Sequence, residues 1–420
     1  MKTCSLPKKS FFDSEAISDS TMKRIKLLVV ALHPIPYHVP LYRKLEQLNW
    51  LDTTVIFCDR LGFEKYYSSD WKTNVDFSGE KLLEGYKSIF IRNWALRFFN
   101  GFFSRINPGI VPKMARKEYD AVFIQGYSVV SCWLALFFSR LFGKKIIYRG
   151  ESIVTQSRLK QTSFFKEALK KRILKIVFHY SDAILYSCKG NYDFFKYYGA
   201  PEEKLFPIPC AVDNDFFKNQ FFKFSLERQE IRAQLDIPED AFVCLMVGRF
   251  DDNKRQIDLL RSCVSLNRKD IYILLVGAGP NKDKLRNYAQ SKGFDNIRFV
   301  GFVTQKEIGK YYSIADLFLV LSGYDMSPKT LNEAMNFSLP VVVSDQCGTV
   351  EDLIEEGKNG NGYVISVGDT LHLSKIILAL ADDLPLCEKM GIRSIEIVST
   401  RATFDKDIEG INAALNHVLS

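Results

Sequence analysis

Short runs of branched and aliphatic residues alternate with longer amphipathic stretches along most of the chain, and the two patterns predict strands and helices in turn. Strands are predicted at 25–31, 53–58, 121–124, 145–148 and 183–187, and a second series at 242–247, 272–276, 297–300, 317–321 and 341–344. Strand and helix in alternation build a parallel sheet covered by helices on both faces, so the fold class is α/β, formed twice. Between the series, residues 214–223 are polar and aromatic without a strand pattern and read as a linker. That division gives a first domain at 22–213 and a second at 224–402. Residues 1–21 are polar, lack the apolar core of a signal peptide, and read as a disordered leader. Ligands of parallel sheets bind outside the carboxyl ends of the strands, which places the chemistry in the cleft between the domains.

The stretch LVLSGYDMSPKTLNEAMNFSLPVVV, 319–343, sets Asp325 and Glu333 on either side of an expected helix start. An apolar run ends at Leu321, Ser327 is suited to cap the helix, and Pro328 to fill its first position, where a missing N–H costs nothing. Free N–H groups there favour phosphate, and Lys329 adds charge beside them. Glu333 and Asp325 can accept hydrogen bonds from sugar hydroxyls, so the stretch fits a nucleotide-sugar site. An ordinary α/β unit with solvated acids would carry the same residues.

Other strand ends offer further candidates. Gly248, Arg249 and Lys254 follow a strand, where two cations can clamp a diphosphate; a solvated basic loop has the same composition. The turn at Gly277 and Gly279 permits close approach to a ligand, or is simply a tight turn. After the first strand comes HPIPYH, residues 33–38, in place of the glycine-rich turn of a dinucleotide-binding fold, which counts against a nicotinamide enzyme. Tyr37 and His38 suit an acceptor with apolar or sugar faces, although a rigid connection of no function would look alike.

Composition narrows the choice. A formal charge of +8 favours an anionic partner, but it is spread thinly, and without an arginine tract, zinc-type spacing or RNA-recognition signature nucleic acid is not expected. Nine cysteines without CxxC pairs read as buried thiols in a reducing compartment, and dispersed histidines argue against a metal. The longest apolar stretch, 129–138, is shorter than the ~20 residues that span a bilayer and reads as a buried helix. Residues 158–178 mix cations with apolar residues at near-helical spacing, fitting either an anionic bilayer or an ordinary surface helix. Trp94, Phe98, Phe99, Phe102 and Phe103 favour the membrane.

Five segments in order carry a resemblance: SDAILYSCKGNYDFFKYYGAPEEKLFPIPCAVDNDFF, GRF with Lys254, VGAGP, GFVTQKEIGKYYSIADLFLVLS and NEAMNFSLPVVVSD. Together they resemble the retaining glycosyltransferases of group one, carbohydrate-active family four. The resemblance implies the GT-B fold, two Rossmann-like domains facing across a cleft, with a C-terminal helix at 403–420 crossing back to the first. It implies that the second half binds a sugar nucleotide and the first half the acceptor. Arg249 and Lys254 would hold the diphosphate, Glu333 the ribose, and Asp325 would stand near the donor sugar, these four forming the catalytic set. Gly248, Gly277, Phe302 and the backbone from Met326 through Ser327 and Pro328 to Lys329 would complete the donor pocket. Front-face transfer with retained configuration is implied, the departing phosphate helping to take the acceptor proton, with no metal or cofactor.

Two departures stand out. The family usually has glutamate at both acidic positions, whereas Asp325 is one methylene shorter. Many members carry a histidine near the end of a central first-domain strand; here Gln125, Gly126 and Tyr127 stand there, and Tyr127, Arg149 or Glu151 is expected to face the acceptor instead. The expectation is a cytoplasmic, metal-independent hexosyltransferase, peripheral on the membrane. It moves a hexose or N-acetylhexosamine from UDP to a glycan or lipid-linked acceptor in cell-surface polysaccharide or lipopolysaccharide synthesis. The rivals are a catalytically silent sugar-nucleotide-binding subunit and a sugar-nucleotide epimerase.

Overall fold

The computed structural model describes residues 24–61, 66–68, 72–75, 81–96, 98–155, 162–209, 211–266 and 268–420; the expected leader at 1–21 lies outside them. The first domain has strands β1 (Ile25–Ala31), β2 (Leu51–Phe57), β3 (Tyr66–Ser68), β4 (Thr73–Val75), β5 (Lys87–Phe90), β6 (Ala121–Gln125), β7 (Lys145–Arg149), β8 (Ala183–Tyr186) and β9 (Leu205–Pro207). Seven of these form a sheet in the order β5-β2-β1-β6-β7-β8-β9, and β3 pairs with β4 alone. The second domain has β10 (Phe242–Val247), β11 (Ile271–Val276), β12 (Ile297–Gly301), β13 (Leu317–Val320), β14 (Val341–Ser344) and β15 (Gly362–Ile365), in the order β12-β11-β10-β13-β14-β15. Every pairing within these two sheets is parallel.

Alternation of side chains explains the layers. In β1, Leu27, Val29 and Ala31 enter one core cluster while Leu28 and Val30 enter another, and in β10 Val243 and Leu245 part from Cys244 and Met246 in the same way. Both sheets are therefore buried on both faces, as parallel sheets must be. The strands not foreseen, β3, β4, β5, β9 and β15, are four residues or shorter, and the last three lie at sheet edges. Their runs are too short to stand out from helical segments by periodicity.

Two expectations need correction. Residues 214–223 are not a free linker: Asn214–Ser225 is a helix, its start capped by the Asp213 side chain accepting from Phe216 N–H at 3.0 Å. Phe217 and Phe224 are buried in the second core and Phe221 packs against it, so the aromatics recur at helical rather than strand spacing. The apolar stretch near residue 130 does form a helix, Val130–Leu141, but only one face is buried, through Cys132, Ala135, Leu136 and Ser139. Phe137 and Leu141 are exposed. Seven described cysteines are buried and outside any disulfide, and among the described residues no helix is long and apolar enough to cross a membrane.

The C-terminal helix Phe404–Leu419 packs against the first sheet rather than the second. Phe404, Ile411, Ala414, Leu415 and Val418 enter the core beneath β1 and β2, and Asp407 accepts a hydrogen bond from Ala211 N–H at 3.3 Å. Contact is closest at Gly410, where a Cβ atom would lie 1.8 Å from the Pro207 carbonyl oxygen. The domains also touch directly: Gly190 N–H donates to Gly348 O at 3.0 Å, and Lys189 N–H to the Asp352 carboxylate at 2.9 Å. Replacing Gly410 with valine overfills the helix–strand contact and should cost about 1–3 kcal/mol. The expected reading is a melting midpoint lower by several degrees; an unchanged midpoint would mean that the helix is not seated on β9.

Candidate functional site

The carboxyl ends of both sheets face one cleft. There the loop after β1 meets the loops after β10, β11 and β12 around a cavity of about 250 Å³. Tyr37 comes from the first domain, while Gly248, Gly277, Phe302, Thr330 and Glu333 come from the second. Four of the expected donor contacts and one expected acceptor contact therefore share one cavity.

Glu333 lies in the helix Lys329–Met335 and is almost wholly buried. Its Oε2 accepts from the Tyr312 hydroxyl at 2.7 Å, Tyr37 adds a hydrogen bond from the opposite domain, and Oε1 is buried without a hydrogen-bond partner. Burial pushes its pKa up to about 7, against the two tyrosine hydrogen bonds and the nearby charge of Lys329, which pull it down. A buried acceptor oxygen with nothing to accept from is suited to a ligand hydroxyl. Tyr312, fully buried, was not foreseen; nothing in the run GKYYSIAD distinguishes it from a core aromatic.

The helix starts later than expected. Pro328 takes the cap position with ψ at 110°, Lys329 is the first helical residue, and no side chain caps the end, so Ser327 is not the N-cap. Ser327 is buried instead, and Met326 faces the first domain: its carbonyl accepts from Cys188 Sγ at 3.4 Å.

Lys254 and Asp325 form the second part of the site. Lys254 Nζ donates to Asp325 Oδ2 at 2.5 Å, in a pair that is partly buried. Asp251 organises both cations, accepting from Arg249 Nε at 2.6 Å and from Lys254 N–H at 2.8 Å. Gly248 lines the cavity and adjoins the Lys254 side chain, but Arg249, Lys254 and Asp325 themselves are not among the cavity-lining residues.

The reading of Gly277 and Gly279 as room for a ligand also changes. Both have positive φ, and a Cβ on Gly277 would lie 1.9 Å from Gly248 O, one on Gly279 2.5 Å from Phe250 O. Their approach is to the neighbouring loop that carries Arg249, although Gly277 still lines the cavity.

On the first-domain side, His38 lies where Arg149, Glu151 and Lys329 all act on it electrostatically. Burial, with the positive charge of Arg149 second, pushes its pKa down to about 3, which leaves the imidazole neutral and a weak base at pH 7. Arg149, buried at the end of β7, donates to Glu151 at 2.8 Å. Tyr127 is half-buried, its pKa raised by burial and then by Tyr324 of the second domain. Among the described residues no group of three His, Cys, Asp or Glu side chains could hold a metal ion.

Comparison with known proteins adds a match over the second domain. Residues 227–396 match the model of the group 1 glycosyl transferases. The alpha-monoglucosyldiacylglycerol synthase of Acholeplasma laidlawii is 33% identical over 157 residues, 36% of this chain and 39% of that protein. The lipopolysaccharide core biosynthesis glycosyltransferase LpsD of Rhizobium meliloti is 28% identical over 171 residues, 40% and 48% of the two chains. These matches span less than half the length of either curated relative. The crystal structure of HepE from Anabaena, in complex with UDP and glucose, superposes with a TM-score of 0.69 at 16% identity, covering 94% of this chain and all of that one.

The buried carboxyl group yields a pH test. Its folded pKa lies above the unfolded value, about 4.3, so between the two the folded form holds more protons and stability falls as pH rises. Glu333→Gln removes that dependence. Its stability relative to the unmodified protein should be level near pH 4 and greater by up to about 3 kcal/mol at pH 8. A difference independent of pH in urea unfolding would refute the burial argument.

Proposed function

We propose that this protein transfers a sugar from a nucleotide diphosphate to a glycan or lipid-linked acceptor, because residues 227–396 match the model of the group 1 glycosyl transferases and the chain has the GT-B fold. The observation that carries the reading is the partnerless Oε1 of Glu333 on the wall of a cavity also lined by Gly248, which adjoins the Lys254 side chain. In this proposal the donor is a UDP-hexose or UDP-N-acetylhexosamine, a base preference supported by the UDP in the HepE structure. The ribose donates to Glu333, Lys254 and Arg249 meet the diphosphate, and Asp325 faces the sugar.

Transfer is proposed to proceed with retention. The bond from the anomeric carbon to the phosphate oxygen breaks as the acceptor oxygen bonds to the same carbon on the same face, and the acceptor proton passes to the departing phosphate. Lys254 and Arg249 stabilise the charge that develops on that phosphate, so the chemistry asks for no metal. His38, neutral and weakly basic, positions the acceptor rather than taking its proton. The named activities of the relatives support a cell-surface lipid or lipopolysaccharide acceptor.

Thermal shift against UDP-, GDP-, ADP- and dTDP-sugars in the presence of EDTA tests the donor site, because a ligand of the folded state raises the melting midpoint. A rise confined to UDP-sugars is expected; no rise with any of them would sink the proposal. Lys254→Ala should lower kcat/KM by about 10²–10³-fold, the usual cost of losing one stabilising contact to developing charge. Wild-type turnover in that variant would remove Lys254 from the mechanism, and inversion at the anomeric carbon of the product, read by NMR, would refute retention.

A further inference from the structure

Two helices of the first domain are apolar on both faces. Helix Phe164–Tyr180 buries Leu174, Val177 and Phe178, yet Phe165, Leu169 and Ile176 are exposed. At 3.6 residues per turn, Phe165, Leu169, Arg172 and Ile176 fall in one narrow stripe opposite the buried one. Helix Val130–Leu141 repeats the arrangement, with Phe137 and Leu141 exposed on the side away from Cys132, Ala135 and Leu136.

Both helices bury their inner stripes in the same core cluster, so they lie on the same side of the first sheet and present their outer stripes on one surface. They pack against each other, and Val130–Leu141 also contacts the turn Gly101–Ser104. That turn carries exposed Phe102 and Phe103, stacked edge-on with centroids 5.2 Å apart, next to Phe98 and Phe99. The exposures are large: 81% at Phe165, 72% at Phe98 and 61% at Phe137. A soluble monomer seldom leaves so many large apolar side chains together on one surface, and core packing accounts only for the inner stripes.

Charge selects the occupant. The helix Phe164–Tyr180 interleaves the outer stripe with exposed Lys166, Lys171, Arg172 and Lys175, while Glu167 is its one carboxylate. Aromatics that enter the acyl boundary between cations that reach phosphate are the chemistry of an anionic lipid surface. Long basic stems can lie along the apolar ground while their charges stay at the headgroups. We infer that this face of the first domain docks on an anionic bilayer, with Phe165, Leu169 and Phe137 entering the interface. Trp94 is also exposed, and indole favours the boundary between headgroups and hydrocarbon.

The test is co-sedimentation of the full chain with phosphatidylcholine vesicles, with and without phosphatidylglycerol, using no donor or acceptor, so that it can fail while the transferase reading holds. Two variants report separately: F137S/F165S/L169S for the apolar stripe and K166Q/K171Q/R172Q for the charge, all at exposed positions where folding is not at stake. The wild type should pellet only with phosphatidylglycerol, less so at high salt, and each variant should lose tenfold or more of that binding. Binding indifferent to phosphatidylglycerol, or variants that pellet like the wild type, would overturn the inference. So would a wild type that stays in solution as a dimer dissociated by the same apolar substitutions, the sign that a second copy covers the face.

Discussion

A backbone contact between two glycines of different domains holds the loop that carries Asp325. Gly190, near the start of the helix after β8, donates its N–H to Gly348 O at 3.0 Å, and Gly348 N–H donates to Asp325 O at 2.8 Å. Side chains would prevent this approach: a Cβ on Gly190 would lie 2.7 Å from Gly348 Cα, and one on Gly348 2.6 Å from Met326 O. The first domain thus bears on the backbone of the second at the loop that displays Asp325. Two hydrogen bonds therefore link the first domain to the Asp325 backbone, and an ion pair links Asp325 to Lys254.

The electrostatics of the site follow from that geometry. Arg249 and Lys254 are already held by Asp251 and Asp325, so both cations are oriented before any ligand arrives and little side-chain freedom remains to be lost. Asp325, one methylene shorter than glutamate, spends its reach on Lys254. Glu333 behaves differently because burial keeps its carboxyl close to half-protonated at neutral pH. A partly neutral carboxyl repels an approaching diphosphate less than a full carboxylate does. In the proposed binding mode, ribose hydroxyls donating to Oε1 would favour its ionised form, so binding and ionisation would reinforce each other.

Much of this was legible because parallel sheets write themselves into sequence as bare apolar runs. The predicted strands at 25–31, 242–247 and 341–344 have the observed limits, and the expected GT-B architecture is the observed one. Glu333, Lys254 and Asp325 could be read as a group because each stands just beyond a strand or one helical turn into the next element. What sequence could not show were contacts made by residues of unremarkable type. Tyr312 looks like any core aromatic until it donates to Glu333, and Gly190 and Gly348 like any loop glycines until they touch. The helix Asn214–Ser225 was missed for a different reason: its aromatic run hides a helical stripe of Phe217, Phe221 and Phe224 among equally apolar neighbours.

The two domains share one plan but differ in how their surfaces are written. In the second, the chemistry is packed into short segments at strand ends, where the backbone itself supplies much of the geometry, so a few residues in order carry the signal. In the first, the candidate contacts Tyr37, His38, Tyr127 and Arg149 come from three separate strand ends and act through burial and long-range charge rather than through a motif. Its other distinctive feature, helices apolar inside and out, disappears when residues are counted rather than placed on a wheel. Val130–Leu141 then reads as a wholly buried helix, and only the opposed stripes of the folded helix reveal a second surface in need of a partner.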